Sequence, residues 1–280
     1  MSRLVDGYDL VLCDLDGVLY AGPEPIPGAA ETLSALAEAH IPVRYLTNNA
    51  SRTPSAVAEQ LAGFGIDASV DQIVTSAQVA ARSLAQAHPA GSAVLVIGGQ
   101  GLIDAVAEVG LAPVFSADDG PVAVVQGFDK KLGWEQLAEA AYAVRSGLPW
   151  TATNVDATLP TERGIAPGNG TLIDVVATAT RQRPTVTGKP EPLMFHEAAR
   201  EAGARHPLMV GDRLNTDIAG AVRAGVDSLL VLTGVDHPDG PDAFDDGERP
   251  TYIAESVSGL LQPALSPSDY FSDGQKGDGQ

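Results

Sequence analysis

Two carboxylates, Asp14 and Asp16, stand two residues apart in Asp14-Leu15-Asp16-Gly17, directly after the apolar run Leu10-Val11-Leu12-Cys13. On an extended segment, side chains at that spacing point the same way, so both carboxylates can address one site. Gly17 then lets the chain turn sharply, and an acidic turn after a strand is the plain alternative. Leu46-Thr47-Asn48-Asn49 ends a second apolar run. A hydroxyl and free backbone N–H groups there could hold a phosphate oxygen, although Thr and Asn are also ordinary loop residues. Gly188-Lys189-Pro190 offers either a surface lysine or a fixed cation beside carboxylates. Met209-Val210-Gly211-Asp212 delivers a carboxylate to a strand end, and Asp217 follows where it would cap the next helix, a position compatible with a metal role.

The elements that must position these residues alternate. Asp9–Cys13 and Val43–Leu46 read as buried parallel strands, and Ala29–Ala39 as a helix with Leu33, Leu36 and Ala37 on one face. Thr53-Pro54 reads as an N-cap followed by Pro at the first helical position, opening a helix to about Leu61. Strands are expected at Ala93–Ile97, Val122–Gln126, Trp150–Thr153, Thr185–Thr187, Leu208–Val210 and Ser228–Leu232. Helices are expected at Gly101–Val109, Trp134–Arg145, Leu172–Thr180, Leu193–Ala202 and Ile218–Ala224. The pattern predicts an α/β protein, a Rossmann-like doubly wound parallel sheet with an inserted second α/β domain. The core is assigned to residues 1–77 and 187–265 and the insertion to 78–186. Residues 236–250 read as an acidic loop, and 266–280 as a disordered polar tail.

Composition narrows the function. The 280 residues hold 17 Lys and Arg against 36 Asp and Glu, a formal charge of −19. Such a chain repels phosphate backbones, which argues against nucleic-acid or anionic-membrane partners. It also repels small phosphate esters, so phosphate chemistry here needs a local positive charge such as a metal. Cys13, the only cysteine, excludes an intrachain disulfide and reads as a small core residue. The first ten residues carry one Arg and no long apolar stretch, and no apolar run reaches the ~18 residues of a membrane span. A cytoplasmic protein is expected; a homo-oligomer remains open. The histidines (His40, His88, His196, His206, His237) show no paired zinc spacing. Gly98-Gly99-Gln100-Gly101 fails the dinucleotide fingerprint at Asp104, and Pro190 excludes a Walker A loop. The fourth-place glycine after Asp14 excludes an EF-hand.

Each signal is ordinary alone; their order is not. A carboxylate pair, Thr-Asn, a Lys and a second carboxylate pair each follow a predicted strand, at the sheet edge where open α/β folds bind ligands. This series resembles the haloacid dehalogenase (HAD) superfamily of phosphatases. Leu46-Thr47-Asn48-Asn49-Ala50-Ser51 and Gly188-Lys189-Pro190 resemble its class IIA, the NagD-like branch, and Ala152–Gly170 is similar to the C2-type cap of glycerol-3-phosphate phosphatases within that branch. The resemblance implies hydrolysis of a small phosphorylated metabolite, first of all glycerol 3-phosphate. Other esters of the class are p-nitrophenyl phosphate, phosphoglycolate, pyridoxal phosphate and nucleoside monophosphates. It implies Asp14 as nucleophile and Asp16 as acid/base. It further implies Mg²⁺ on the Asp14 carboxylate, the Asp16 carbonyl and Asp212, with Asp217 more remote, and phosphate held by Thr47, Asn48 and Lys189. Asn154, Asp156, Glu162, Arg163 and Asn169 would contact the leaving group from the cap. A phosphoryl-accepting signalling module shares the Asp, Thr, Lys and Mg²⁺ but lacks an acid/base two residues on and a large cap.

Overall fold

A computed structural model describes residues 2–161 and 163–274. Among them, one sheet has six strands in the order Tyr252–Ala254, Asp227–Val231, Pro207–Gly211, Leu10–Cys13, Val43–Thr47, Ile73–Thr75. Numbered along the chain, that order is 6-5-4-1-2-3, the doubly wound arrangement expected. The pairs from Tyr252–Ala254 to Val43–Thr47 run parallel. All four residues of Leu10–Cys13 are buried, which explains a continuous apolar run in place of an alternating one. The order reverses between strands one and four, so Leu10–Cys13 and Pro207–Gly211 lie side by side, Cys13 opposite Val210. Asp14 and Asp212 are the residues that follow them.

A second sheet, parallel throughout, has the order Thr185–Val186, Trp150–Ala152, Ala123–Gln126, Ala93–Ile97, Ala112–Val114. Val94, Val96, Ala123 and Val125 pack with Ala77, Ala80, Ala81, Leu102 and Val106 from the helices Ser76–Ala87 and Gln100–Glu108. Leu95, Ile97, Val124 and Trp150 pack on the opposite face with Val144, Ile173 and Val176 from Trp134–Arg145 and Asn169–Thr180. A buried strand alternates its side chains between two helical layers.

The chain divides into two compact units. The first comprises residues to Leu46, Ala58–Ile73 and the chain from Lys189 on; the second comprises Thr47–Val57 and Val74–Gly188. The dividing points differ from the expected 77/78 and 186/187, and 47–57 goes with the second unit. Thr53 caps the helix Pro54–Gly63 as anticipated, accepting from Ala56 N–H at 3.2 Å. Within Ala29–Glu38, Leu33 and Leu36 are buried but Ala37 is exposed.

The expected disordered tail is corrected: Pro267–Gly274 is a helix, and Tyr270 and Phe271 pack on the cluster of Ile218, Leu230, Phe244 and Ile253. The remainder of that tail, 275–280, lies outside the described residues. Phe244 also anchors the acidic segment 236–250 in that cluster, with the Arg249 guanidinium 5.8 Å from its ring centre. Among the described residues, no helix is long and apolar enough to cross a membrane.

Candidate active site

The first unit holds a buried cluster of three carboxylates and one ammonium. Lys189, 3% exposed, donates from Nζ to Asp14 Oδ1 and, at 2.6 Å, to Asp217 Oδ1. Burial lowers the Lys189 pKa, but the two carboxylates outweigh it and hold the ammonium above its ordinary value. Burial drives Asp14 well above the carboxylate range; Lys189 pulls it back, and Asp217 and Asp212 add to the rise. Asp212 is pushed up to about 6, first by burial and then by Asp217, against the pull of Val235 N–H, Arg213 and Lys189.

One oxygen from each of Asp14, Asp212 and Asp217 lies within 4.8 Å of the others. Asp212 Oδ2 accepts Val235 N–H at 2.8 Å, whereas Oδ1 is buried with no partner among the described residues. A buried carboxylate oxygen without a donor is costly unless a cation meets it. Three carboxylates against one ammonium leave two negative charges, and the donors are all hard oxygens. The residues therefore fit a divalent cation of the Mg²⁺ type. Glycine makes the fit possible: a Cβ on Gly17 (φ +88°) or on Gly234 would overlap the Asp212 carboxylate.

Asp217 is not the helix cap expected. It lies inside the turn Leu214–Ile218, with Oδ1 taken by Lys189 and Oδ2 accepting Arg213 N–H at 3.2 Å. Both oxygens are occupied by protein donors, so Asp217 is built to hold the lysine. Asp16 is exposed, in contrast to Asp14. Desolvation of its carboxyl raises its pKa, with the Arg213 charge and a bond from Gly22 N–H opposing.

The second unit gathers another set. Thr47 ends the strand Val43–Thr47, and its Oγ1 accepts Asn49 N–H at 3.1 Å. Asn49 Oδ1 accepts Ser51 N–H at 3.0 Å and its hydroxyl at 2.7 Å, which fixes the turn. Asn48 Nδ2 reaches the Asp156 carboxylate at 3.3 and 3.4 Å. Asn154 and Asn169, 4% and 1% exposed, donate to the carbonyls of Asn48 and Asn154 at 2.7 and 2.8 Å. The Asn154 amide is thus committed to the protein through both Nδ2 and Oδ1, whereas Asn169 commits only its Nδ2. Arg163 is exposed at the tip of the hairpin formed by Thr158–Thr161 and Gly164–Pro167. Glu162 lies outside the described residues.

Sequence reasoning assigned Asp14, Asp16, Thr47, Asn48, Lys189, Asp212 and Asp217 to one crevice and Asn154, Asp156 and Asn169 to the cap. The structure gathers Asp14, Lys189, Asp212 and Asp217 in the first unit, and Thr47 and Asn48 with Asn154, Asp156 and Asn169 in the second. It missed Val235 and Gly234, which brace Asp212, and Ser76, whose hydroxyl donates to Asn48 O at 2.7 Å. Ser76 had a signal, since Thr75-Ser76-Ala77-Gln78 is a capping box in which Thr75 and Gln78 bond reciprocally. Gly234 and Val235 had none, because their partner is 22 or more residues away in sequence.

Comparison with known proteins adds independent findings. A family model described as haloacid dehalogenase-like hydrolase matches residues 11–112, and a HAD-hydrolase-like model matches 186–260. The chain is 45% identical over 262 residues to a D-glycerol 3-phosphate phosphatase of Mycobacterium tuberculosis, covering 94% of this chain and 73% of that protein. It is 39% identical over 253 residues to a 5′-nucleotidase of Bacillus subtilis, covering 90% and 96%. The crystal structure of a glycerol phosphate phosphatase from Mycobacterium tuberculosis in complex with magnesium superimposes with a TM-score of 0.91 at 44% identity, over 94% of this chain and 80% of that one.

Proposed function

The chain belongs to the haloacid dehalogenase-like hydrolases, and we propose that within them it is a Mg²⁺-dependent phosphatase of small phosphate monoesters, with glycerol 3-phosphate as its substrate. The observation that carries this reading is the buried Asp14–Lys189–Asp217 bridge beside Asp212, at the switch point of the doubly wound sheet. The identity to the D-glycerol 3-phosphate phosphatase supports the substrate. The 5′-nucleotidase makes nucleoside monophosphates the comparison to be made.

In this reading Asp14 attacks phosphorus, and the ester P–O bond breaks as Asp16 passes its proton to the leaving alkoxide. The raised pKa of Asp16 favours the protonated form that this step needs. Water then attacks the aspartyl phosphate while Asp16 takes back a proton, releasing phosphate and regenerating Asp14. Lys189 neutralises charge on Asp14 and on the phosphoryl group, held in place by Asp217. Thr47 and Asn48 hold phosphoryl oxygens. Asp14, the Asp16 carbonyl and Asp212 would hold Mg²⁺, which supplies Lewis-acid neutralisation of the transferring group. The inserted segment 78–186 serves as the cap that selects the leaving group.

The test is kcat/KM for glycerol 3-phosphate, a nucleoside 5′-monophosphate and p-nitrophenyl phosphate with Mg²⁺, in wild type and Asp14→Asn. Glycerol 3-phosphate should rank first, and Asp14→Asn should abolish turnover of all three because an amide does not attack phosphorus. A variant retaining more than about a tenth of the wild-type kcat, a loss under ~1.4 kcal/mol, would remove Asp14 as nucleophile.

A further inference from the structure

We propose that Asn154 and Ser76 are positioning residues of the phosphate-binding turn, acting through the Asn48–Asn49 peptide on the Thr47 hydroxyl; this rests on the reading of Thr47 as a phosphate ligand. The Asn48 carbonyl accepts two buried side-chain donors, Ser76 Oγ and Asn154 Nδ2, each at 2.7 Å. Ser76 is fully buried and Asn154 nearly so. A peptide group is planar, so two donors on its oxygen fix the direction of its N–H as well. That N–H belongs to Asn49, and it donates to Thr47 Oγ1 at 3.1 Å. With its oxygen accepting there, the Thr47 hydroxyl keeps its own proton to donate to a phosphoryl oxygen.

Asn154 is itself held. Its Oδ1 accepts Asp156 N–H at 3.2 Å, which sets the amide so that Nδ2 faces the Asn48 carbonyl. Its backbone carbonyl accepts Asn169 Nδ2 at 2.8 Å from the first turn of Asn169–Thr180. Gly188 allows the chain to pass this knot, since a Cβ there would stand 2.7 Å from Asn48 Oδ1 and overlap the Thr153 carbonyl. The relay directs its donors to the Asn48 and Asn154 carbonyls, on the phosphate side of the ester. It therefore acts on every phosphate ester alike, unlike a specificity residue.

The experiment measures the inhibition constant of inorganic phosphate, KM and kcat for glycerol 3-phosphate and p-nitrophenyl phosphate, and the half-saturating Mg²⁺ concentration. The proteins are wild type, Asn154→Asp, Ser76→Ala and Thr47→Ala. Asn154→Asp retains the acceptor for Asp156 N–H but sets an oxygen against the Asn48 carbonyl; Ser76→Ala removes one donor from a site that holds alanine without crowding. Each should raise the phosphate inhibition constant about fivefold or more and raise KM for both esters by a common factor. The ester ranking and the Mg²⁺ half-saturation should stay within about twofold of wild type, a split that general damage to the fold would not give. A changed ranking, a shifted Mg²⁺ requirement with unchanged phosphate affinity, or unchanged constants in Ser76→Ala would each overturn the relay while Thr47→Ala weakens phosphate binding. If Thr47→Ala leaves the phosphate inhibition constant unchanged, the underlying phosphate-turn reading fails instead. Should Asn154→Asp not fold, Ser76→Ala decides the matter alone.

Discussion

At the scale of single residues, Asp212 is closely confined within the first unit. One oxygen is satisfied by Val235 N–H and the other by nothing among the described residues, while Gly17 and Gly234 press on the carboxylate. Gly234→Ala should therefore displace it, and because no other donor replaces an aspartate there, Mg²⁺ half-saturation should rise by about tenfold or more. A titration of activity against Mg²⁺ checks this, and a curve superimposable on wild type would refute the placement of the cation. The same carboxylate sets a pH dependence. Its pKa rises from 3.8 unfolded to about 6 folded, so the folded state binds a proton more tightly. The stabilisation this gives is complete below the unfolded value and is lost as pH rises through about 6. Above that window the metal-free protein carries an unneutralised buried charge, which Mg²⁺ relieves. The gain in Tm on adding Mg²⁺ to chelator-treated protein should thus be larger near pH 7 than near pH 5, and equal gains would show that Asp212 does not bind the ion as a carboxylate.

At the scale of elements, the helix Pro267–Gly274 covers apolar surface that the compositional reading of a polar tail overlooked. Tyr270 and Phe271 contact Ile218, Leu230, Phe244 and Ile253, and Tyr270 OH donates to Glu255. Truncation after Leu265 should destabilise the protein by ~2 kcal/mol, since two half-covered aromatic side chains are lost. Chemical denaturation measures this, and an unchanged midpoint would mean the helix adds nothing to stability. What was legible in the sequence follows the same physics. Leu10–Cys13, Ala93–Ile97 and Pro207–Gly211 are buried on both faces, so each announces itself as an unbroken apolar run, and the first and third run directly into Asp14 and Asp212. Ile73–Thr75 is buried too, but three residues make no pattern, and the expected boundary at 77/78 consequently fell inside the helix Ser76–Ala87. Asp217 looked like a cap because Asp in that position usually is one; Lys189, 28 residues away, takes its carboxylate instead. Asn154 and Asn169 were singled out as polar residues in the right stretch, but only the fold turns them inward onto backbone carbonyls. Partners distant in sequence decide these cases, and no local signal encodes them.

At the scale of the whole molecule, charge governs how a substrate arrives. The formal charge of −19 sets a repulsive field for a phosphate dianion at distances beyond the site. The segment 236–250 contributes Asp236, Asp239, Asp242, Asp245, Asp246 and Glu248 against Arg249 and His237. Inside the site the balance changes, because Lys189 and a bound divalent cation offset the carboxylates over a few ångströms. The two fields differ in range, and salt separates them. The Debye length falls from about 30 Å at about 0.01 M ionic strength to about 8 Å at about 0.15 M, which screens the long-range repulsion and leaves short contacts in the buried cluster nearly intact. With Mg²⁺ held saturating, kcat/KM for a dianionic ester should therefore rise severalfold over that range, while kcat, which reports on the bound complex, should hardly move. The measurement is a series of initial rates in a neutral salt that neither chelates Mg²⁺ nor competes with phosphate. A fall in kcat/KM with salt would mean that a positive local field reaches far enough to steer the substrate in, and the global charge would then have no part in substrate capture.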